Sequence, residues 1–65
     1  MTAGEVERVL SAHGFRLDRV RGSHRVWVSD ERFVSVSVPT HGNKTLQQGL
    51  LNAIFNEAGI PKPAR

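Results

Sequence analysis

Apolar side chains at Val6, Val9 and Leu10, with His13 following, recur at the spacing of one helix face. Ahead of them, Thr2-Ala3-Gly4-Glu5 has the form of a capping box, in which a Thr hydroxyl and a Glu carboxylate satisfy amides that a starting helix leaves free. Gly14 supplies a left-handed stop, so the spacing predicts a helix over Ala3 to His13. From Phe15 the period falls to two. Val26 and Val28 alternate with Arg25, Trp27 and Ser29, and Val34, Val36 and Val38 alternate with Phe33, Ser35 and Ser37. With Phe15 to Val20, and with Arg21-Gly22-Ser23 and Asp30-Glu31-Arg32 as connections, these segments read as a three-stranded antiparallel meander that ends at Pro39. Helical spacing returns at Leu50, Leu51, Ile54, Phe55 and Ala58, and Gly59-Ile60-Pro61 fits a Schellman-type ending, which predicts a second helix over Gln48 to Ala58.

Each helix has a single apolar stripe that must be buried against the sheet, so the order α-β-β-β-α implies a two-layer α+β domain with both helices on one face and the other face open. The even-numbered valines of strands two and three are expected on the buried face, which points Trp27 away from it, alongside Arg25. The domain is expected over residues 1–60, with residues 61–65 as a flexible tail.

At 65 residues there is room for one core, and a chain this short buries only about 60% of the surface its unfolded form exposes, so any site must be shallow and built from few residues. Cysteine is absent, which excludes a disulfide framework, thiolate metal sites and a cysteine nucleophile. No apolar run is longer than the three residues of Ala53-Ile54-Phe55, far short of the roughly 20 residues that cross a bilayer, and Glu5, Glu7 and Arg8 stand where a signal peptide would be apolar. A cytoplasmic chain without membrane attachment is the expectation.

Charge is localised. Nine Lys and Arg against six Asp and Glu give +3 overall, and the stretch from Arg16 to Arg25, with four Arg and one Asp, carries +3 by itself. Such a patch suits phosphates, and equally an acidic protein partner.

Within it His24 is expected at the mouth of a strand, partly buried, directly after Gly22 and Ser23 and between Arg21 and Arg25. It reads either as a cap on the edge of the core or as a proton carrier beside a phosphate held by the arginines and the turn amides. Trp27, beside Arg25, reads as a base-stacking platform, a protein anchor or a shield over the sheet. His13 fits a partly buried stripe residue at a helix C-terminus, and His41 a loop residue or a phosphate contact. The three histidines come from three separate elements, so no metal site is expected. Gly42-Asn43-Lys44-Thr45 ends like a phosphate-binding loop but lacks the first glycine and a parallel-sheet setting.

Taken together, Gly14-Phe15, Gly22-Ser23-His24, Val38-Pro39 with His41, Gly49 with Leu51 and Ile54, and Ala58-Gly59-Ile60 occur in an order and spacing that resembles the HicA toxin family of type II toxin-antitoxin systems, from about Glu5 to Ile60. The resemblance implies a double-stranded-RNA-binding-domain-like fold, an mRNA interferase whose key histidine is His24, and a HicB-type antitoxin that covers the site. On that footing the expected reaction is endoribonuclease cleavage needing no cofactor, with His24 as general base. Arg21, Ser23, Arg25 and Lys44 would hold RNA, DNA would be spared for want of a 2′-hydroxyl, and Arg21, His24, Arg25 and Trp27 would meet the antitoxin. The alternative is a non-catalytic RNA-binding or protein-interaction module of the same fold.

Overall fold

Thr2 opens the first helix as expected. Its hydroxyl accepts from the Glu5 amide at 3.3 Å and its own amide donates to Glu5 Oε1 at 2.8 Å. That amide is also the main reason the Glu5 carboxyl is held below its ordinary pKa. In the computed structural model, which describes residues 1–40 and 44–63, the elements are α1 (Ala3–Ala12), β1 (Arg16–Arg21), β2 (His24–Ser29), β3 (Val34–Pro39) and α2 (Gln48–Ala58). This is the α+β order expected from the sequence. α1 stops one residue early, with His13 as its C-cap and Gly14 at φ 90°. α2 ends in a Schellman pattern: Gly59 at φ 73° donates to Asn56 O, and Ile60 donates to Phe55 O.

The sheet is antiparallel in the order β1-β2-β3, and α1 and α2 pack on β3. Between sheet and helices lies a core of Val6, Leu10, Phe15, Val36, Val38, Leu46, Leu51, Ile54 and Phe55. Each such side chain contributes about 1.5–3 kcal/mol when taken wholly out of water. No helix among the described residues is long and apolar enough to cross a membrane. The expected tail is described as far as Pro63, and there Lys62 Nζ donates to Gln48 and Asn52 of α2; residues 64–65 lie outside the described residues.

The register of β2 against β3 corrects one expectation. Val26 pairs with Ser37, Trp27 with Val36 and Arg25 with Val38. Paired residues share a face. Trp27 and Arg25 therefore face the helices with Val36 and Val38, while Val26 and Val28 face the open side with Ser35 and Ser37. Consistent with this, Val26 lies outside the core cluster and Trp27 packs against it. The cause is the β2–β3 loop, which holds four residues, Asp30 to Phe33, where three were expected. Phe33, the added one, takes φ 55° and is 94% exposed. The left-handed region costs a residue with a Cβ about 1–2 kcal/mol, a cost borne here to set the pairing.

Candidate active site

Two irregularities bring cations to the open face. β1 and β2 are joined by Gly22 and Ser23 alone, with φ 60° at Gly22 and no positive φ at Ser23, the pattern of a type II′ hairpin turn. This short loop pairs Arg21 directly with His24. Further along, the register shifts between Leu17 and Arg19, so that Leu17 pairs with Trp27 but Arg19 with Val26. Arg21 and Arg19, two residues apart in the regular register that the turn sets, share the His24 side, and the β-bulge at Asp18 reverses the alternation before them, so that Leu17 faces the helices with Trp27 and Arg16 the open side with Val28. Backbone and hydroxyl of Thr40 both donate to Ser23 O, at 2.7 and 2.9 Å, and pin the turn to the end of β3.

The result is a groove of about 470 Å³, within the ~300–1,000 Å³ range of small-ligand sites. Arg19, Arg21 and His24 line it from one side and Ser35, Val36, Ser37 and Glu57 from the other. Val26, only 8% exposed, forms the floor.

His24 is exposed, not partly buried, because it begins β2 on the face that no helix covers. Arg25, the next residue, points to the other face, where its Nε donates to Glu7 Oε2 at 2.5 Å. Trp27 Nε1 donates to the same oxygen at 2.7 Å. The expected pair of arginines flanking His24 is thus not assembled, and Trp27 is no open-face platform: both side chains are half-buried under α1. Arg19 takes the vacated place, on the same face of β1 as Arg21, and sequence reasoning passed over it because it put Arg21 in the connection and not in the strand. Arg16 pairs with Val28, but its guanidinium is engaged by Asp30 at 3.2 Å and Asp18 at 3.6 Å. The Asp30 hydrogen bond, with the charge of both carboxylates, holds its pKa above the ordinary value. Arg19 is held by Asp18 at 2.6 Å, whereas Arg21 has no ion-pair partner among the described residues.

Ser23 occupies the exposed turn beside His24. Lys44 is exposed and precedes Thr45, which bridges to Thr2 at the start of α1; it does not line the groove. His13 is exposed, not half-buried, and its Nδ1 lies 2.9 Å from Val9 O. His41 lies outside the described residues. Among the described residues, no three His, Cys, Asp or Glu side chains converge as a bound metal would need.

No curated protein and no solved structure matches the chain significantly. A family profile does: residues 3–60 match the HicA toxin of bacterial toxin-antitoxin systems. With nearly the whole chain matched, the protein belongs to the HicA toxin family.

Proposed function

We propose that the protein is the toxin of its toxin-antitoxin pair by virtue of endoribonuclease activity on mRNA, with His24 as the general base. An imidazole nitrogen of His24 takes the proton from a ribose 2′-hydroxyl. The 2′-oxygen then attacks the adjacent phosphorus, the bond from phosphorus to the 5′-oxygen breaks, and that oxygen leaves with the bonding pair and takes a proton from water. The products are a 2′,3′-cyclic phosphate and a 5′-hydroxyl. Arg21 and Arg19 offset the charge that gathers on the phosphorane, and the turn at Gly22 and Ser23 offers amides to a phosphate oxygen. A HicB-type antitoxin covers the groove and presents carboxylates to Arg21. The observation that carries this reading is the pairing, across a two-residue hairpin loop, of an exposed histidine with an arginine that no carboxylate among the described residues engages.

The test is to incubate the purified protein with mRNA in the presence of a chelator and to determine the fragment ends by mass spectrometry. Cyclic-phosphate ends are expected, together with complete protection by a single 2′-deoxy substitution at the cut site. Cutting that persists at the deoxy position, or that yields 3′-hydroxyl ends, would falsify the mechanism. RNA that is bound but left intact would leave a binding module.

Salt dependence separates the two arginines. Each phosphate contact on single-stranded RNA contributes about −0.7 to the slope of log K against log salt. Arg21→Ala is expected to flatten the slope by about that amount. Arg25→Ala, on the other face, is expected to leave it unchanged, and equal slopes for both variants would remove Arg21 from the phosphate site.

A further inference from the structure

The groove has walls of opposite character. Arg19, Val26 and Ser37 form one row across β1, β2 and β3 through successive pairings. With strands about 4.8 Å apart, the backbones of Arg19 and Ser37 stand roughly 10 Å from each other, enough for one nucleotide to lie crosswise. Beyond Ser37 the wall is completed by Glu57, the one carboxylate among the groove's described lining residues. It is exposed and has no ion-pair partner among the described residues. It also sits in the last turn of α2, where a negative charge opposes the helix dipole, so the helix itself gains nothing from it.

This polarity orients a nucleotide. Glu57 repels phosphate, and Arg19 and Arg21 attract it, so the phosphate lies toward β1 and the base toward β3 and α2. Among the described residues no Phe, Tyr or Trp lines the groove, since Trp27 faces the helices, and with the His24 ring given to the 2′-hydroxyl, recognition of the base is left to hydrogen bonds in place of stacking. A carboxylate only accepts. Guanine offers it two adjacent donors, N1–H and the 2-amino group; uracil offers one imino N–H between two carbonyl oxygens that a carboxylate repels.

We propose that Glu57 is a specificity-determining residue that reads the base of the nucleotide whose phosphate rests on Arg19 and Arg21, selecting guanine and rejecting uracil. The proposal rests on the RNA reading of this groove.

Its test is a binding measurement with the full-length His24→Ala protein, which leaves the RNA uncut. Fluorescent adenine pentanucleotides carrying a single guanine or uracil at each position in turn are the probes. At one position guanine is expected to bind about tenfold more tightly than uracil, the discrimination typical of one bidentate base contact. Adding Glu57→Ala should abolish that ratio, and adding Glu57→Gln should bring it near unity, because the amide serves the uracil carbonyls as well. Equal binding of guanine and uracil at every position overturns the proposal, as does a preference that survives both Glu57 variants. Absence of binding to all the probes, the outcome if the groove takes only an acidic protein segment, overturns it together with the RNA reading. A Glu57-dependent preference in a protein that, with His24 intact, cuts none of the same RNAs would uphold base reading and refute catalysis.

Discussion

His24→Ala is expected to lose about 10²- to 10⁴-fold in RNA cleavage, the usual worth of a general base, while unfolding at the temperature of the parent protein. The two halves of this result come from one structural fact. His24 stands exposed at the start of β2, on the sheet face that no helix covers, so its truncation opens no cavity and strands no buried polar group. Its imidazole lies beside Arg21, and among the described residues no lysine or second histidine lines the groove to replace it, while the one carboxylate there, Glu57, stands on the opposite wall beyond Ser37. Cleavage rates under single-turnover conditions and a thermal melt on the same preparation check both halves. A variant that melts early makes His24 a structural cap on the sheet edge. One that cuts at the parental rate moves the base elsewhere.

The elements of this fold were legible because their signals are local. A capping box, two apolar stripes at helical spacing and glycines at both helix ends locate α1 and α2 to within a residue. What period-two alternation leaves open is which face of one strand joins which face of the next. That depends on loop length, and one residue more or less exchanges every side chain between core and solvent. Asp30 to Arg32 as the connection would have matched Val26 with Val36. Phe33, in the left-handed region, lengthens it by one and matches Val26 with Ser37. The pattern Arg-Phe-Val gave no sign of this, because a phenylalanine rarely adopts that conformation and reads as a strand residue.

The site was legible to the same degree and for the same reason. The expected connection of Arg21-Gly22-Ser23 put Arg21 near His24, but Arg21 closes β1 instead, and the two-residue loop that remains pairs it directly with His24. Arg25 is next to His24 in sequence and for that reason points to the opposite face of the strand. Arg19 and Glu57 escaped sequence reasoning on different grounds. The first shares a face with Arg21 only once Arg21 counts as the last residue of β1, and the second joins the groove only through the packing of α2 on β3.

Glu7→Ala should destabilise the domain by about 2 kcal/mol without altering the cleavage rate of the molecules that remain folded. Glu7 Oε2 accepts from both Arg25 Nε and Trp27 Nε1, and its side chain is only 16% exposed. Among the described residues no buried side-chain nitrogen or oxygen lacks a partner, and this one carboxylate supplies two of the bonds that join α1 to β2. Its removal leaves an indole N–H and a guanidinium unpaired under the helix, where hydrogen bonds to charged groups are worth about 1.5–3 kcal/mol. Arg25, with its side chain 35% exposed, regains some hydration, which keeps the loss below that of a fully buried pair. In a domain of 65 residues, where 1 kcal/mol moves the midpoint by about 4–8 °C, the expected fall is about 8–16 °C. Arg25→Ala made in the Glu7→Ala background should cost less than in the parent protein, since its partner is already gone. Because the pair lies on the helix side of the sheet, cleavage measured well below the midpoint should match the parent. A melt unchanged by Glu7→Ala would refute the coupling of α1 to β2 through this carboxylate, and a cleavage loss at low temperature like that of His24→Ala would put Arg25 back among the residues that serve the reaction.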